Sequence, residues 1–387
     1  GTKQIQIIST ANLPFAEINL DLPNINPTDP AYVLFTSGST GIPKGVPISY
    51  NNINSFMNAF YALGYKIDEN DRFLQVFDLS FDLSVMSYLA PLQIGACAYT
   101  VASGKTKYLA TYALLEEQEL TFALMVPSVL NYLKPYFDDI RLEKLRYSLF
   151  CGEALYEDMV SQWANCVPNA LIQNVYGPTE ATIFCLTYDW KADHSPEKAF
   201  NGIVSIGKPM KNMSAVVVNE KSELLAQGEK GELCLLGGQL TAGYWNNPEK
   251  NAQAFFITQI NGVETVCYRT GDIAFVDKDG DFTFCGRVDH QVKVQGGYRV
   301  ELSEIEHYAR QFTNLNVAAV AKENAMGISQ IYLFLEKYEG KMEELSNFMI
   351  EKLPSYMQPS KILNLDIFPL NVNGKIDRKV LKDSILN

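Results

Sequence analysis

Short β-branched and apolar runs alternate with helical stretches along most of this 387-residue chain, and that alternation favours a layered α/β architecture. Tyr32–Phe35 reads as a strand. It runs straight into a loop rich in Gly, Ser and Thr, and a helix is expected from Asn51 or Asn52. Thr121–Met125, Ser148–Phe150, Ala215–Val218 and Glu232–Leu236 read as further strands. Between Val266 and Gly286 the pattern changes: Asp279-Gly280 separates the alternating runs Ile273–Val276 and Phe282–Cys285, the signature of a hairpin. A small antiparallel sheet or barrel is therefore expected to close the large unit. Beyond Asp289 come a Gly-Gly turn, a helix from about Ser303, a strand Ile331–Leu335 and a helix Met342–Lys352, which describe a small α+β unit with its own core. The expected organisation is a large core over 1–288 and a small C-terminal lid over 289–387, joined by a hinge at Asp289.

Length supports two units, since one domain usually takes about 150 residues. The seven cysteines are scattered without a CxxC pair, and three histidines offer little to a metal, so a reducing, cytoplasmic setting fits. No run approaches the roughly 18 apolar residues of a membrane span, and the opening GTKQIQIIST lacks the layout of a signal peptide. A soluble protein with no membrane partner is expected. The net charge of −12 argues against nucleic acid, whose phosphates are held by Lys and Arg. The stretch from His290 onward has twelve basic and twelve acidic residues, so the acidic excess lies before it, and an acidic partner would prefer the C-terminal end.

Four clusters carry chemistry. Thr36-Ser37-Gly38-Ser39-Thr40-Gly41-Ile42-Pro43-Lys44 offers closely spaced amides, hydroxyls and a cation, the components that wrap a polyphosphate, although its spacing is not that of a Walker loop. Asn174-Val175-Tyr176-Gly177-Pro178-Thr179-Glu180 places an aromatic face, a hydroxyl and a carboxylate able to hold Mg²⁺ within seven residues. Tyr268-Arg269-Thr270-Gly271-Asp272 ends a strand with an acid that could accept two ribose hydroxyls, and Arg287 supplies a guanidinium. Near the C-terminus, NGKIDRK presents Lys375 on a glycine turn. Taken singly, each also reads as an ordinary polar turn or a solvated tail.

In this order TSGSTGIPKG, YGPTEAT, YRTGD, GRVDHQVKVQGGYRVELSEIE and NGKIDRK resemble the core motifs of the adenylate-forming superfamily, AMP-binding enzymes that include nonribosomal peptide synthetase adenylation domains, acyl-CoA synthetases and luciferases. The resemblance runs from about Pro27 to the end. It implies that Thr36, Ser37, Gly38, Ser39, Thr40, Gly41 and Lys44 hold the β and γ phosphates of ATP, that Thr179 contacts the α-phosphate and that Glu180 ligates Mg²⁺. Tyr176 would stack on adenine, with Gly152, Glu153, Asn174 and Gly177 around it. Asp272 would bind the ribose with help from Arg287, and Lys375 would be the catalytic lysine. The family then rotates its lid so that the same site admits a pantetheine thiol, the acceptor being a carrier protein.

For the substrate, Phe81-Asp82-Leu83-Ser84-Val85-Met86 is decisive, because an aspartate at Asp82 resembles the one that pairs with the substrate ammonium in amino-acid-activating members. This string and Leu149-Phe150-Cys151-Gly152-Glu153 are similar to those of D-alanine:carrier-protein ligases. Leu83, Met86, Met125, Leu149, Cys151, Val175 and Ile183 are expected to fill most of the side-chain pocket, which favours a small amino acid, D-alanine first. Cys151 is expected to pack and not to attack, since no histidine lies near it. The sequence departs from the family pattern in two ways: the N-terminal subdomain ahead of the phosphate loop is expected to be absent, leaving apolar surface exposed, and the turn before Tyr298-Arg299 has an extra glycine. The competing readings are an acyl- or aryl-CoA ligase and a noncatalytic nucleotide-binding member.

Overall fold

The computed structural model describes residues 24–36, 44–101, 107–260, 262–288, 291–293, 299–323, 329–371 and 375–385. Ser37, Gly38, Ser39, Thr40 and Gly41 of the phosphate loop, the proposed hinge Asp289 and the glycine turn before Arg299 lie outside the described residues.

Strand β1 (Pro30–Thr36) pairs antiparallel with β2 (Lys44–Ser49), so the two ends of the phosphate loop are held together by six paired positions. Helix Tyr50–Ala62 follows at once. Ser49 caps it: the Asn52 amide donates to Ser49 Oγ at 3.2 Å while the Ser49 amide donates to Asn52 Oδ1 at 3.0 Å, a reciprocal arrangement that satisfies two otherwise orphaned donors.

The main sheet contains β3 (Arg72–Gln75), β4 (Cys97–Thr100), β5 (Phe122–Met125), β6 (Tyr147–Phe150), β7 (Leu171–Tyr176), β8 (Leu186–Asp189) and β9 (Lys208–Pro209), in the spatial order β4-β3-β5-β6-β7-β8-β9. The first five are parallel neighbours, and the β7–β8 and β8–β9 pairs are antiparallel, so β8 alone is reversed. Both faces of the parallel part are covered, which is why its strands read as continuous apolar runs. Alternate residues go to opposite faces. Phe122 and Leu124 of β5 join Phe56, Phe60, Phe73 and Leu149 on one side, while Ala123 and Met125 join Leu115, Phe150 and Trp163 on the other. The Trp163 indole N–H, fully buried, donates to Ser148 Oγ at 3.0 Å.

The second sheet is antiparallel, built from β10 (Met213–Val218), β11 (Gly231–Gly237), β12 (Phe255–Ile260), β13 (Val263–Val276) and β14 (Phe282–Arg287). Its β13–β14 hairpin is the expected one, longer at both outer ends. The two sheets meet at Gly207: the Phe282 amide donates to the Gly207 carbonyl at 2.7 Å and the Ile206 amide to the Phe282 carbonyl at 2.9 Å. A Cβ on Gly207, whose φ is +74°, would lie 1.9 Å from the Thr187 carbonyl oxygen.

The C-terminal part is α+β. Strand β15 (Gln291–Lys293) pairs with β16 (Arg299–Glu301); β17 (Val317–Glu323) pairs antiparallel with β18 (Ser329–Glu336), which pairs parallel with β19 (Lys361–Leu365). Helices Leu302–Thr313 and Met342–Lys352 cover this sheet through Ile305, Ala309, Leu345 and Met349. Among the described residues, no buried hydrophobic cluster contains members from both sides of residue 289. No helix among them is long and apolar enough to cross a membrane. Some large apolar side chains are exposed, Phe35, Leu79 and Leu92 among them.

Gly207→Ala is expected to destabilise the protein by about 3–5 kcal/mol, because it combines a strained left-handed φ with a backbone clash that only a shift of β8 relieves. Urea denaturation of the two proteins, followed by tryptophan fluorescence, checks this.

Candidate active site

The parallel strands end on one edge, and the segments that leave them line a cleft of about 920 Å³. Pro127 and Ser128 follow β5, Cys151, Gly152 and Glu153 follow β6, and Gly177, Pro178 and Thr179 follow β7. Ligands of open α/β sheets bind outside these carboxyl ends. Thr36, Asp82 and Leu83 contribute from the first elements, Asp272 and Arg287 from the second sheet, and Lys375 from the C-terminal part.

One side of the cleft is organised around Asp272. The Tyr176 hydroxyl donates to its carboxylate, Arg287 Nη1 donates to Oδ1 at 2.7 Å, and the Asp272 amide donates to Thr270 Oγ1 at 3.0 Å. Burial and then the Asp272 charge push the Tyr176 phenol well above its ordinary range, so it stays a donor. Beside it, the Asn174 carboxamide donates to the carbonyls of Val204 at 3.2 Å and Ser205 at 2.9 Å, tying β7 to the loop that leads to β9. Glu153 turns to the wall: its Oε2 accepts from the Ser128 amide at 2.8 Å, at the start of helix Ser128–Leu133.

The segment 177–184 is strained. A Cβ on Gly177 would lie 2.4 Å from Phe184 Cα, and Thr182 and Ile183 both have positive φ, 55° and 73°. Two consecutive β-branched residues in the left-handed region are costly, about 1–3 kcal/mol each. The Thr182 hydroxyl, donating to the Gln239 carbonyl at 2.5 Å, helps to hold them. The result is that Glu180 is buried and its Oε1 accepts from the Tyr244 hydroxyl at 2.7 Å. Lys44 Nζ donates to the same phenol oxygen at 3.1 Å and sits 4.2 Å from the ring centroid. Burial lowers the Lys44 pKa, and Glu180 opposes that shift. Tyr244 therefore bridges the cation that follows the phosphate loop and the proposed Mg²⁺ ligand.

At the other end of the cleft, Asp82 immediately precedes helix Leu83–Gln93 and is buried, with no hydrogen-bond partner on Oδ2. Burial pushes its carboxyl up to about 7; the Thr179 hydroxyl pulls it down, the Glu180 charge raises it and the amides of Ile183 and Leu83 lower it. The neighbouring Cys151 thiol is pushed up to about 12, by burial first and then by Asp82. The thiol is buried in the apolar cluster with Leu149 and Val175, which favours its protonated form. Lys375 Nζ donates to the Gly152 carbonyl and lies 5.6 Å from the Phe81 ring centroid. Gly152, at φ +87°, leaves room for it: a Cβ there would be 3.4 Å from Nζ.

The structure brings together Thr36, Asp82, Leu83, Cys151, Gly152, Glu153, Asn174, Val175, Tyr176, Gly177, Thr179, Asp272, Arg287 and Lys375. Met125 is a correction to the expected pocket. It does not line the cleft and is buried with Phe150 and Trp163, because β5 alternates and Leu124 takes the face shared with Leu149, Cys151 and Val175. Met86, Leu149 and Ile183 are likewise not on the cleft surface; they are fully buried in the cluster behind Cys151 and Val175, so they shape the wall without lining it. Tyr244, Tyr156 and Arg310 are missed by the motifs. Tyr244 lies 64 residues from Glu180 in sequence, and no spacing rule links them.

A mixed α/β core with a cleft at the carboxyl ends of its parallel strands, entered by a lysine from a C-terminal α+β part, is the architecture of adenylation domains. The chain belongs to the AMP-binding enzyme family, whose model matches residues 4–245. It is 36% identical over 369 residues to tyrocidine synthase 1 of Brevibacillus parabrevis, covering 94% of this chain but 32% of that protein. It is 34% identical over 394 residues to the D-alanine--D-alanyl carrier protein ligase of Listeria monocytogenes, covering 99% of this chain and 75% of the relative. The crystal structure of the Vibrio cholerae adenylation domain AlmE in complex with glycyl-adenosine-5'-phosphate superposes with a TM-score of 0.62 at 32% identity, covering 92% of this chain and 66% of that one. The chain thus spans about a third of tyrocidine synthase 1 and three quarters of the ligase.

The raised carboxyl of Asp82 fixes a pH dependence. A folded pKa above the unfolded value means that the charged form disfavours folding, so the penalty is absent near pH 4, grows as pH rises and is complete above about 7. Asp82→Asn is expected to stabilise the ligand-free protein by on the order of 2 kcal/mol at pH 8 and by almost nothing at pH 4. Thermal melts across this range measure it; a gain independent of pH would contradict the assignment.

Proposed function

We propose that this chain activates a small amino acid, D-alanine first, as its aminoacyl adenylate, with ATP as co-substrate and pyrophosphate as the leaving group, and then passes the acyl group to the phosphopantetheine thiol of a carrier protein. The observation that carries the reading is the pairing, in one cleft, of a buried carboxylate with a free oxygen on Asp82 and the Lys375 ammonium at the Gly152 carbonyl. A buried carboxylate with one unpartnered oxygen is expensive unless a ligand cation completes it, and an α-ammonium does so. In a fatty or aryl acid nothing would.

The geometry supports the following roles. With its ammonium on Asp82, an amino acid directs its carboxylate toward Lys375 and Thr179. Attack on the α-phosphorus forms the carboxylate–phosphorus bond and breaks the bond to pyrophosphate; Lys375 and the Thr179 hydroxyl offset the charge on the transferring oxygens. The Asp272 carboxylate, held by Tyr176 and Arg287, offers its remaining acceptor capacity to the ribose hydroxyls, and the Tyr176 ring offers a face to the base. Glu180 suits Mg²⁺: a buried carboxylate near the phosphate loop can supply one oxygen to this ion when phosphate oxygens and water supply the rest. When bound, that ion would neutralise the departing pyrophosphate. Thr36, at the start of the phosphate loop, and Lys44, at its end, would flank the β and γ phosphates.

Cys151, Val175 and Leu83, with Met86, Leu149 and Ile183 packed behind them, leave little depth for a side chain. The ligase relative and the glycyl adenylate of AlmE support a small substrate. Thioester transfer rests on the relatives and on a division of the chain at Asp289 into core and lid, with the lid moving to admit the thiol. The carrier relationship is named in the ligase relative.

ATP/pyrophosphate exchange with a panel of D- and L-amino acids, fatty acids and aryl acids tests the proposal. Exchange is expected with small amino acids, D-alanine foremost. Lys375→Ala is expected to lower it by about 10²–10³-fold, the scale of removing one preorganised donor from a developing charge. Exchange driven by fatty or aryl acids would replace this reading with a CoA ligase, and exchange with no acid at all would overturn it.

A further inference from the structure

Helix Leu302–Thr313 carries two stripes. Leu302, Ile305 and Ala309 turn into the C-terminal core, and Glu306 stays on that side, accepting from the Ala319 amide at 2.7 Å and from Arg378 at 2.8 Å. The other stripe, Ser303, His307, Arg310 and the residue that ends the helix, Asn314, recurs at spacings of four, three and four, so it forms one face. That face meets the large core at every position. Ser303 Oγ donates to the Cys285 carbonyl at 3.2 Å; His307 packs on Gly202, where a Cβ would lie 3.0 Å from Nδ1; Lys134 Nζ donates to Asn314 Oδ1 at 2.7 Å. At the centre, the Arg310 guanidinium carbon sits 3.5 Å from the Tyr156 ring centroid. Its Nε is buried with no hydrogen-bond partner, so the ring face is what that part of the guanidinium is packed for.

Tyr156 is itself rigidly placed. It precedes helix Glu157–Cys166, forms a bridge with Ile203, and the Glu157 amide donates to the Gly202 carbonyl at 2.8 Å. Tyr156 and Arg310 both line the cleft that Lys375 enters.

We propose that the Arg310–Tyr156 stack is the latch of a polar docking face that seats the C-terminal part on the core in the one orientation that delivers Lys375 to Gly152. Arg310 and Tyr156 are then positioning residues for adenylate formation, acting through Lys375. The contacts on this stripe are polar or cation–π, and the apolar surface they cover is chiefly the Tyr156 ring face, so the face can separate with little apolar exposure, and the orientation is set by directional contacts. This inference rests on the adenylation reading above for its kinetic consequence but not for its geometry.

Two measurements on the full chain test it. In ATP/pyrophosphate exchange with D-alanine, Arg310→Ala and Tyr156→Ala are each expected to lower kcat about tenfold while the KM for ATP stays within about twofold, and the double variant is expected to be no slower than either single one. Tyr156→Phe, which keeps the ring face, is expected to retain at least about half the wild-type rate. Losses that multiply, a Tyr156→Phe loss as large as that of Tyr156→Ala, or an unchanged Arg310→Ala overturn the inference. If Arg310→Ala does not fold, Arg310→Gln, uncharged but of similar reach, takes its place with the same expectation. The second measurement does not need turnover: energy transfer between dyes on the core and the C-terminal part of the ligand-free chain is expected to fall in Arg310→Ala, and an unchanged efficiency overturns the latch. Absence of exchange in the wild type with every acid would sink the adenylation reading and leave the dye measurement to decide this one.

Discussion

Burial of the parallel sheet on both faces is the constraint from which the rest of the molecule follows. Phe56, Phe60, Phe122 and Leu149 cover one face, and Leu115, Phe150 and Trp163 the other, so the strands have no polar side to spare. Polar chemistry is displaced to the edge where the strands end, and the loops there inherit a rigid frame. Cys151, Gly152, Tyr176 and Thr179 converge on one cleft because β6 and β7 are adjacent and parallel, not because they are near in sequence.

That frame also sustains local conformations that would not persist alone. The left-handed Thr182 and Ile183 and the Gly177–Phe184 contact bend the chain sharply after β7. Ala181, Ile183 and Phe184 are fully buried, and their packing offsets the backbone cost. The bend sets Glu180 against Tyr244 and gives the Ile183 amide to Asp82. Asp82 is the counterpart: its burial is unfavourable in the empty cleft and is tolerated because the helix beginning at Leu83 and the strained segment hold it there. Both features concentrate free energy where a charged substrate can recover it.

Much of this is legible in the sequence, and the gaps have physical reasons. Strands buried on both faces appear as apolar runs, so β5 and β6 are readable to within one residue at each end, and the β-branched or apolar runs of β10 and β11 to within two. Helix Met342–Lys352 was readable in full. The motif glycines identify Gly177, where a Cβ would lie 2.4 Å from Phe184 Cα, and Gly152, whose φ of +87° favours a glycine. What the sequence does not encode locally is facing: a run such as Phe122–Met125 has no polar residue to show which side it shares with Cys151 and Val175, and Met125 lies on the other one. Nor does it encode contacts across long separations, such as Tyr244 with Glu180 or Arg310 with Tyr156, where neither partner belongs to a recognisable pattern. The strings around Tyr176, Asp272 and Lys375, by contrast, stand out in the sequence because each is short and carries its own chemistry, and these three residues meet in one cleft.

The separation of hydrophobic clusters on the two sides of residue 289 has a thermodynamic consequence. Apolar exposure is the main source of the heat-capacity change in protein transitions. A movement of the C-terminal part that breaks only this face of helix Leu302–Thr313 exposes little beyond the Tyr156 ring, so its equilibrium should vary less with temperature than global unfolding does. Dissolved salt, which screens exposed charge and leaves buried apolar surface largely untouched, becomes the more effective control over where the C-terminal part sits.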